Sequence, residues 1–136
     1  MRRIMVMGNV LFLLFITSAF IQTTYSFPNS IERGKEVYTT FSMNCHMEDG
    51  KGMENAYPPV AKSDYLKRPV KDLINNVLKG ESGELKVNCV LYNAIMPAQD
   101  YLTDGQIADV LNYVNNSWGN KNLKAITPEQ VKKMRP

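Results

Sequence analysis

Apolar side chains recur along this chain with a helical period, broken twice by long stretches that keep no period at all. Ile31, Gly34, Val37, Tyr38 and Phe41 follow Asn29-x-x-Glu32, which has the form of a capping box with an unusual first residue, and predict a helix after Asn29. Val70, Leu73, Val77 and Leu78 predict a second helix over 69–79, with Gly80 as its stop. Thr103-x-x-Gln106 opens the strongest stripe: Ile107, Val110, Leu111, Val114 and Trp118. Thr127-Pro128-Glu129-Gln130 caps a short terminal helix reaching Met134. No hairpin dipeptide or alternating run competes. The expected fold class is all-α, three to four short helices joined by two long loops, 44–67 and 81–102.

Helices this few bury little apolar area, while ordering the backbone costs about 1–2 kcal/mol per residue. A domain of this kind needs a staple: disulfides, a metal or a large cofactor.

The N-terminus reads as an address. Arg2 and Arg3 precede an apolar run from Val10 to about Ile21, and Thr24-Tyr25-Ser26 puts small residues around a cut before Phe27. The run is about a dozen residues, short of the roughly 20 that span a bilayer. A cleaved signal peptide over 1–26 is the expectation, with an uncleaved membrane anchor as its rival. Without those residues the chain keeps 14 basic and 13 acidic side chains, a net charge of +1. The basic residues are scattered without interleaved aromatics, which argues against a nucleic-acid face. The exception is a cluster in a C-terminal extension, 121–136, read as a solvated helix face.

Cys45 and His46 are adjacent, and His46 is the only histidine. Structural zinc wants four nitrogen or sulfur ligands, and Cys45, Cys89 and His46 make three. Blue copper wants two histidines. Neighbouring residues rarely face each other as a nucleophilic dyad does. Haem needs only one strong proximal ligand and at most one thioether beyond it. The usual attachment run is C-x-x-C-H; here it is Ser42-Met43-Asn44-Cys45-His46.

Gly34-x-x-x-Tyr38, Cys45-His46, Asp49-Gly50-x-Gly52, Tyr57-Pro58-Pro59-Val60-Ala61, Tyr92-Asn93-x-x-Met96-Pro97-Ala98 and the helix to Trp118 together resemble class I cytochromes c, closest to small bacterial monohaem members. The resemblance covers roughly 31–120 and implies a cytochrome c domain over 27–120, wrapped around one haem. It implies His46 as proximal and Met96 as distal iron ligand, Cys45 as a single thioether, and the carbonyl of Pro58 (or Pro59) as acceptor for the other nitrogen of His46. Gly34 would let two helices cross closely, with Tyr38 meeting Tyr113. Tyr57, Tyr92 and Trp118 would be cavity walls or propionate partners, with generic core packing as the plainer alternative. The implied function is periplasmic electron transfer, without catalysis, between redox proteins such as a terminal oxidase or a copper or other periplasmic reductase.

Two residues depart from the pattern. Ser42 cannot form a thioether. Cys89 stands where similar sequences commonly carry glycine, and three readings of it stay open: a free buried thiol, a disulfide with Cys45, or an iron ligand in place of Met96. The second would argue for a haem-free descendant of the fold, and the third for a ligand-binding or redox-sensing module.

Overall fold

The computed structural model describes residues 25–136. The expected signal peptide or anchor, 1–26, lies almost wholly outside them. Among the described residues no helix is long and apolar enough to cross a membrane.

Five helices and one small hairpin follow in order: α1 Phe27–Phe41, α2 Met43–His46, α3 Val70–Lys79, β1 Leu85–Val87, β2 Val90–Tyr92, α4 Asp104–Val114 and α5 Pro128–Lys132. A single 3-10 turn, Asp64–Lys67, interrupts the first long loop. Both Thr-led capping boxes form, at Thr103 with Gln106 and at Thr127 with Gln130. The Asn29 box does not. Helix α1 starts at Phe27, two residues before Asn29, because Pro28 is pre-set for a first turn and Ser26 is extended.

The hairpin corrects the expectation of loop alone over 81–102. Leu85, Lys86 and Val87 pair antiparallel with Tyr92, Leu91 and Val90. Its turn is Asn88-Cys89, with φ of 50° and 67°, the double left-handed geometry that two-residue hairpins favour.

The core forms where α1 crosses α4. At Gly34 an added Cβ would lie 2.6 Å from the carbonyl carbon of Asp109 and 2.7 Å from Cβ of Tyr113, so only glycine lets the backbones meet there. The rings of Tyr38 and Tyr113 then sit 5.5 Å apart. Beside the crossing, Asp109 is fully engaged. It accepts from Ser30 Oγ at 2.6 Å and takes Arg33 in a two-point contact at 2.7 and 2.9 Å.

The C-terminal extension packs on this pair of helices. Ile126 and Val131 are fully buried. Asn112 exchanges two hydrogen bonds with the main chain of Ile126, each 2.8 Å. Arg135 reaches Asp104 at 2.6 Å and the carbonyl of Leu102. Its lysines stay on the surface.

Candidate functional site

The two long loops and the inner faces of α1, α3 and α4 enclose one apolar cleft of about 1310 Å³, counted out to its open mouth. Val37, Leu66, Leu73, Val77, Leu102 and Val110 supply much of its wall.

His46 reaches the cleft from the end of α2, a single turn closed by its own amide on the Ser42 carbonyl at 2.9 Å. The chain leaves that turn through Met47 at φ 62°, and Tyr38 Oη holds the Met47 carbonyl at 2.7 Å. The loop then doubles back so that His46 Nδ1 donates to the Pro58 carbonyl at 3.0 Å. Gly52 makes the approach possible, since a Cβ there would lie 2.7 Å from that same carbonyl oxygen. With Nδ1 committed, Nε2 is the nitrogen left for a ligand bond. Burial lowers the His46 pKa, only partly offset by the Pro58 contact, so the ring is held neutral and able to coordinate.

Met96 lines the cleft from the second loop. Its main chain forms a two-way bridge with Glu81, 2.9 Å in each direction. Gly80 lies so close beneath the segment that a Cβ would sit 2.8 Å from the Ala98 nitrogen. The position of Met96 is therefore fixed by backbone pairing and does not depend on side-chain packing alone.

Cys45, Ser42, Tyr57, Pro58 and Tyr92 line the same cleft. Trp118 does not. The chain leaves the helix after Val114, and Trp118, at φ 51°, packs on Tyr38 with centroids 4.9 Å apart while its Nε1 donates to the Glu48 carbonyl. It buttresses the His46 loop from outside. Cys89 is also away from the cleft, exposed at the hairpin tip, and both cysteines are free. Of the three readings of Cys89, the free thiol holds, but exposed and not buried, and the disulfide and iron-ligand readings do not fit this placement.

Tyr65, Asn76 and Glu81 also face the cleft and were not singled out from the sequence. Nothing local marks them. Tyr65 sits in the 3-10 turn, Asn76 is one polar position of an amphipathic helix, and Glu81 follows a helix stop.

An apolar cleft lined by one histidine oriented by a carbonyl, a thioether and a thiol is a donor set that fits a haem. The cytochrome c family profile matches residues 31–118. The chain belongs to the cytochrome c family. Cytochrome c-552 of Thermus thermophilus is 34% identical over 110 residues, covering 75% of this chain and 83% of the relative. The cytochrome c subunit of a quinone alcohol dehydrogenase from Gluconobacter oxydans is 28% identical over 103 residues, 75% of this chain but 22% of that subunit. The fructose dehydrogenase cytochrome subunit of Gluconobacter japonicus is 30% identical over 106 residues, with the same coverage. This is a class I cytochrome c with the cytochrome c-like fold, an electron carrier and not an enzyme, and the cofactor of its family is haem c.

Proposed function

We propose that this cytochrome is an exported one-haem carrier in which His46 is the proximal and Met96 the distal iron ligand, and Cys45 forms the single covalent link. The observation that carries this reading is that His46 and Met96 line one apolar cleft, with Nδ1 of His46 tied to the Pro58 carbonyl. When bound, the haem would supply a one-electron iron couple. The residues of the chain do the rest. The Pro58 carbonyl fixes the ring plane of His46 and raises its basicity. The thioether of Met96 favours the reduced state and raises the potential. Apolar walls keep water from the site. Ser42, on the same wall as Cys45, offers a hydroxyl where a second thioether would form.

In this reading residues 1–26 are an export signal or anchor, 27–120 form the cytochrome domain, and 121–136 are an extension. The partners are redox proteins: a terminal oxidase, a copper or other periplasmic reductase, or a dehydrogenase of the kind whose cytochrome subunits match this chain. With a charge of +1 after residue 26, docking is weakly steered and changes little with salt.

The test is the absorption spectrum of the purified protein with and without reductant, followed by extraction in acid acetone and mass spectrometry. A split α-band, a sulfur-to-iron charge-transfer band and a polypeptide carrying one haem mass are expected. A missing Soret band would reject the haem site, and a bare polypeptide mass would reject the Cys45 link.

A further inference from the structure

Among the side chains lining the cleft, Glu81 carries the one formal negative charge, and no lysine or arginine lines it. The main chain of Glu81 is the strand partner of Met96, so its carboxylate enters the wall on the Met96 side. Two donors from different elements hold it. Tyr65 Oη donates to Oε2 at 3.0 Å and Asn76 Nδ2 to the same oxygen at 2.9 Å. Among the described residues no donor reaches Oε1, and no cationic nitrogen lies within ion-pair distance of the group. Arg68 stacks on the ring of Tyr65 at 4.0 Å. Burial first, and then the bond to Glu81, push the Tyr65 phenol up to about 12, so it remains a donor through the neutral range.

A carboxylate in an apolar wall is costly unless it is hydrogen-bonded, and here it is bonded without being neutralised. We propose that Glu81 is a positioning residue for charge: a fixed negative group that lowers the reduction potential of the centre and offsets part of the rise due to Met96. The inference rests on the His46/Met96 reading above. Reduction adds one electron, delivered by a redox protein in the cell or by an electrode in the test, and converts ferric to ferrous iron. The centre loses one unit of positive charge, and with it one unit of attraction to Glu81. Glu81 is half-buried at the cleft wall, so solvent screens that attraction in part and does not remove it.

The experiment is an optical redox titration of holoprotein carrying Glu81→Gln, Glu81→Asp or Tyr65→Phe, beside the unaltered protein. Glutamine keeps the acceptor for Tyr65 and Asn76 and removes only the charge. Its expected effect is about a tenfold shift of the equilibrium toward the reduced form, about 59 mV upward for one electron. Glu81→Asp keeps the charge and should stay close to the unaltered value. Tyr65→Phe strips a donor from the carboxylate and should move the potential downward. A Gln variant with an intact His/Met spectrum and an unmoved or lowered potential would overturn the inference alone. So would Gln and Phe variants that shift in the same direction, since that is the mark of altered packing. An unaltered protein without the haem spectrum would overturn the ligand set, and this inference with it.

Discussion

Replacing Gly34 by alanine tests the fold at its tightest point. The new methyl group would meet the Asp109 backbone at 2.6 Å and Tyr113 Cβ at 2.7 Å, against ordinary carbon contacts of about 3.5–4.0 Å. Helices α1 and α4 must therefore part by about 1 Å at their crossing. Overpacking of this kind costs roughly 1–3 kcal/mol. The same shift stretches the bonds from Ser30 and Arg33 to Asp109, and a hydrogen bond to a charged group is worth roughly 1.5–3 kcal/mol. A loss of about 3–5 kcal/mol follows. With a urea dependence of roughly 1–3 kcal/mol per molar, the unfolding midpoint should fall by about 2 M.

Gly105, in the first turn of α4, supplies the control. A Cβ there meets nothing nearer than Thr103 Oγ1 at 3.9 Å, so Gly105→Ala should be neutral or stabilising by up to about 1 kcal/mol. Urea denaturation followed by far-ultraviolet circular dichroism measures both variants. Gly34→Ala within about 0.5 kcal/mol of the unaltered protein, a change no larger than an ordinary surface substitution, would refute the close crossing.

Three further outcomes are expected. Met96→Ala should let carbon monoxide bind the reduced protein readily, seen as a sharp shift of the Soret band; unchanged resistance would reject Met96 as a ligand. Cys89→Gly should stabilise the protein by about 1 kcal/mol, because cysteine at φ 67° bears a penalty that glycine does not, and it should leave the spectrum untouched; a lowered melting temperature would count against the hairpin turn. Tyr65 should make stability pH-dependent in the alkaline range. Its phenol rises from 10.0 to about 12 on folding, so the stabilisation is complete below pH 10 and disappears as pH climbs through 12. The difference in urea midpoint between the unaltered protein and Tyr65→Phe should narrow across that window, and a constant difference would refute the shift.

What could be read from the sequence was what neighbours in the chain decide. The stops and caps at Gly80, Thr103 and Thr127 act through bonds three or four residues long, and they fall where expected. The Asn29 box misled because Pro28 and extended Ser26 start the helix earlier, and a side chain inside a helix no longer caps it. The hairpin was missed because three-residue strands are too short to show alternation, and Cys89 hides a turn that glycine would have announced. Trp118 kept helical phase on paper, but the chain turns away after Val114. His46, Cys45, Met96 and Pro58 were legible only as a constellation. Glu81, Tyr65 and Asn76 were not, because a 3-10 turn, a helix and a bridge strand bring them together across 16 residues of chain.

The same division explains how so small a helical frame keeps an open cleft. The apolar core shared by α1, α3 and α4 is braced by polar ties between α1, α4 and the C-terminal extension. Asp109 fixes α1 through Ser30 and Arg33, and Asn112 fixes the extension through Ile126, while Tyr25 Oη bonds to the Ile126 carbonyl at 2.9 Å. Each tie satisfies a buried group that would otherwise cost about 1–3 kcal/mol. Gly34 brings α1 and α4 close enough for these bonds to form, and their inner faces, Val37, Val110 and Val114, are left facing the cleft. The buried polar network therefore adds to the apolar core in holding the frame, while part of the apolar surface still faces the cleft. Residues 121–136 carry part of that network, which makes the extension a piece of the frame despite its surface lysines.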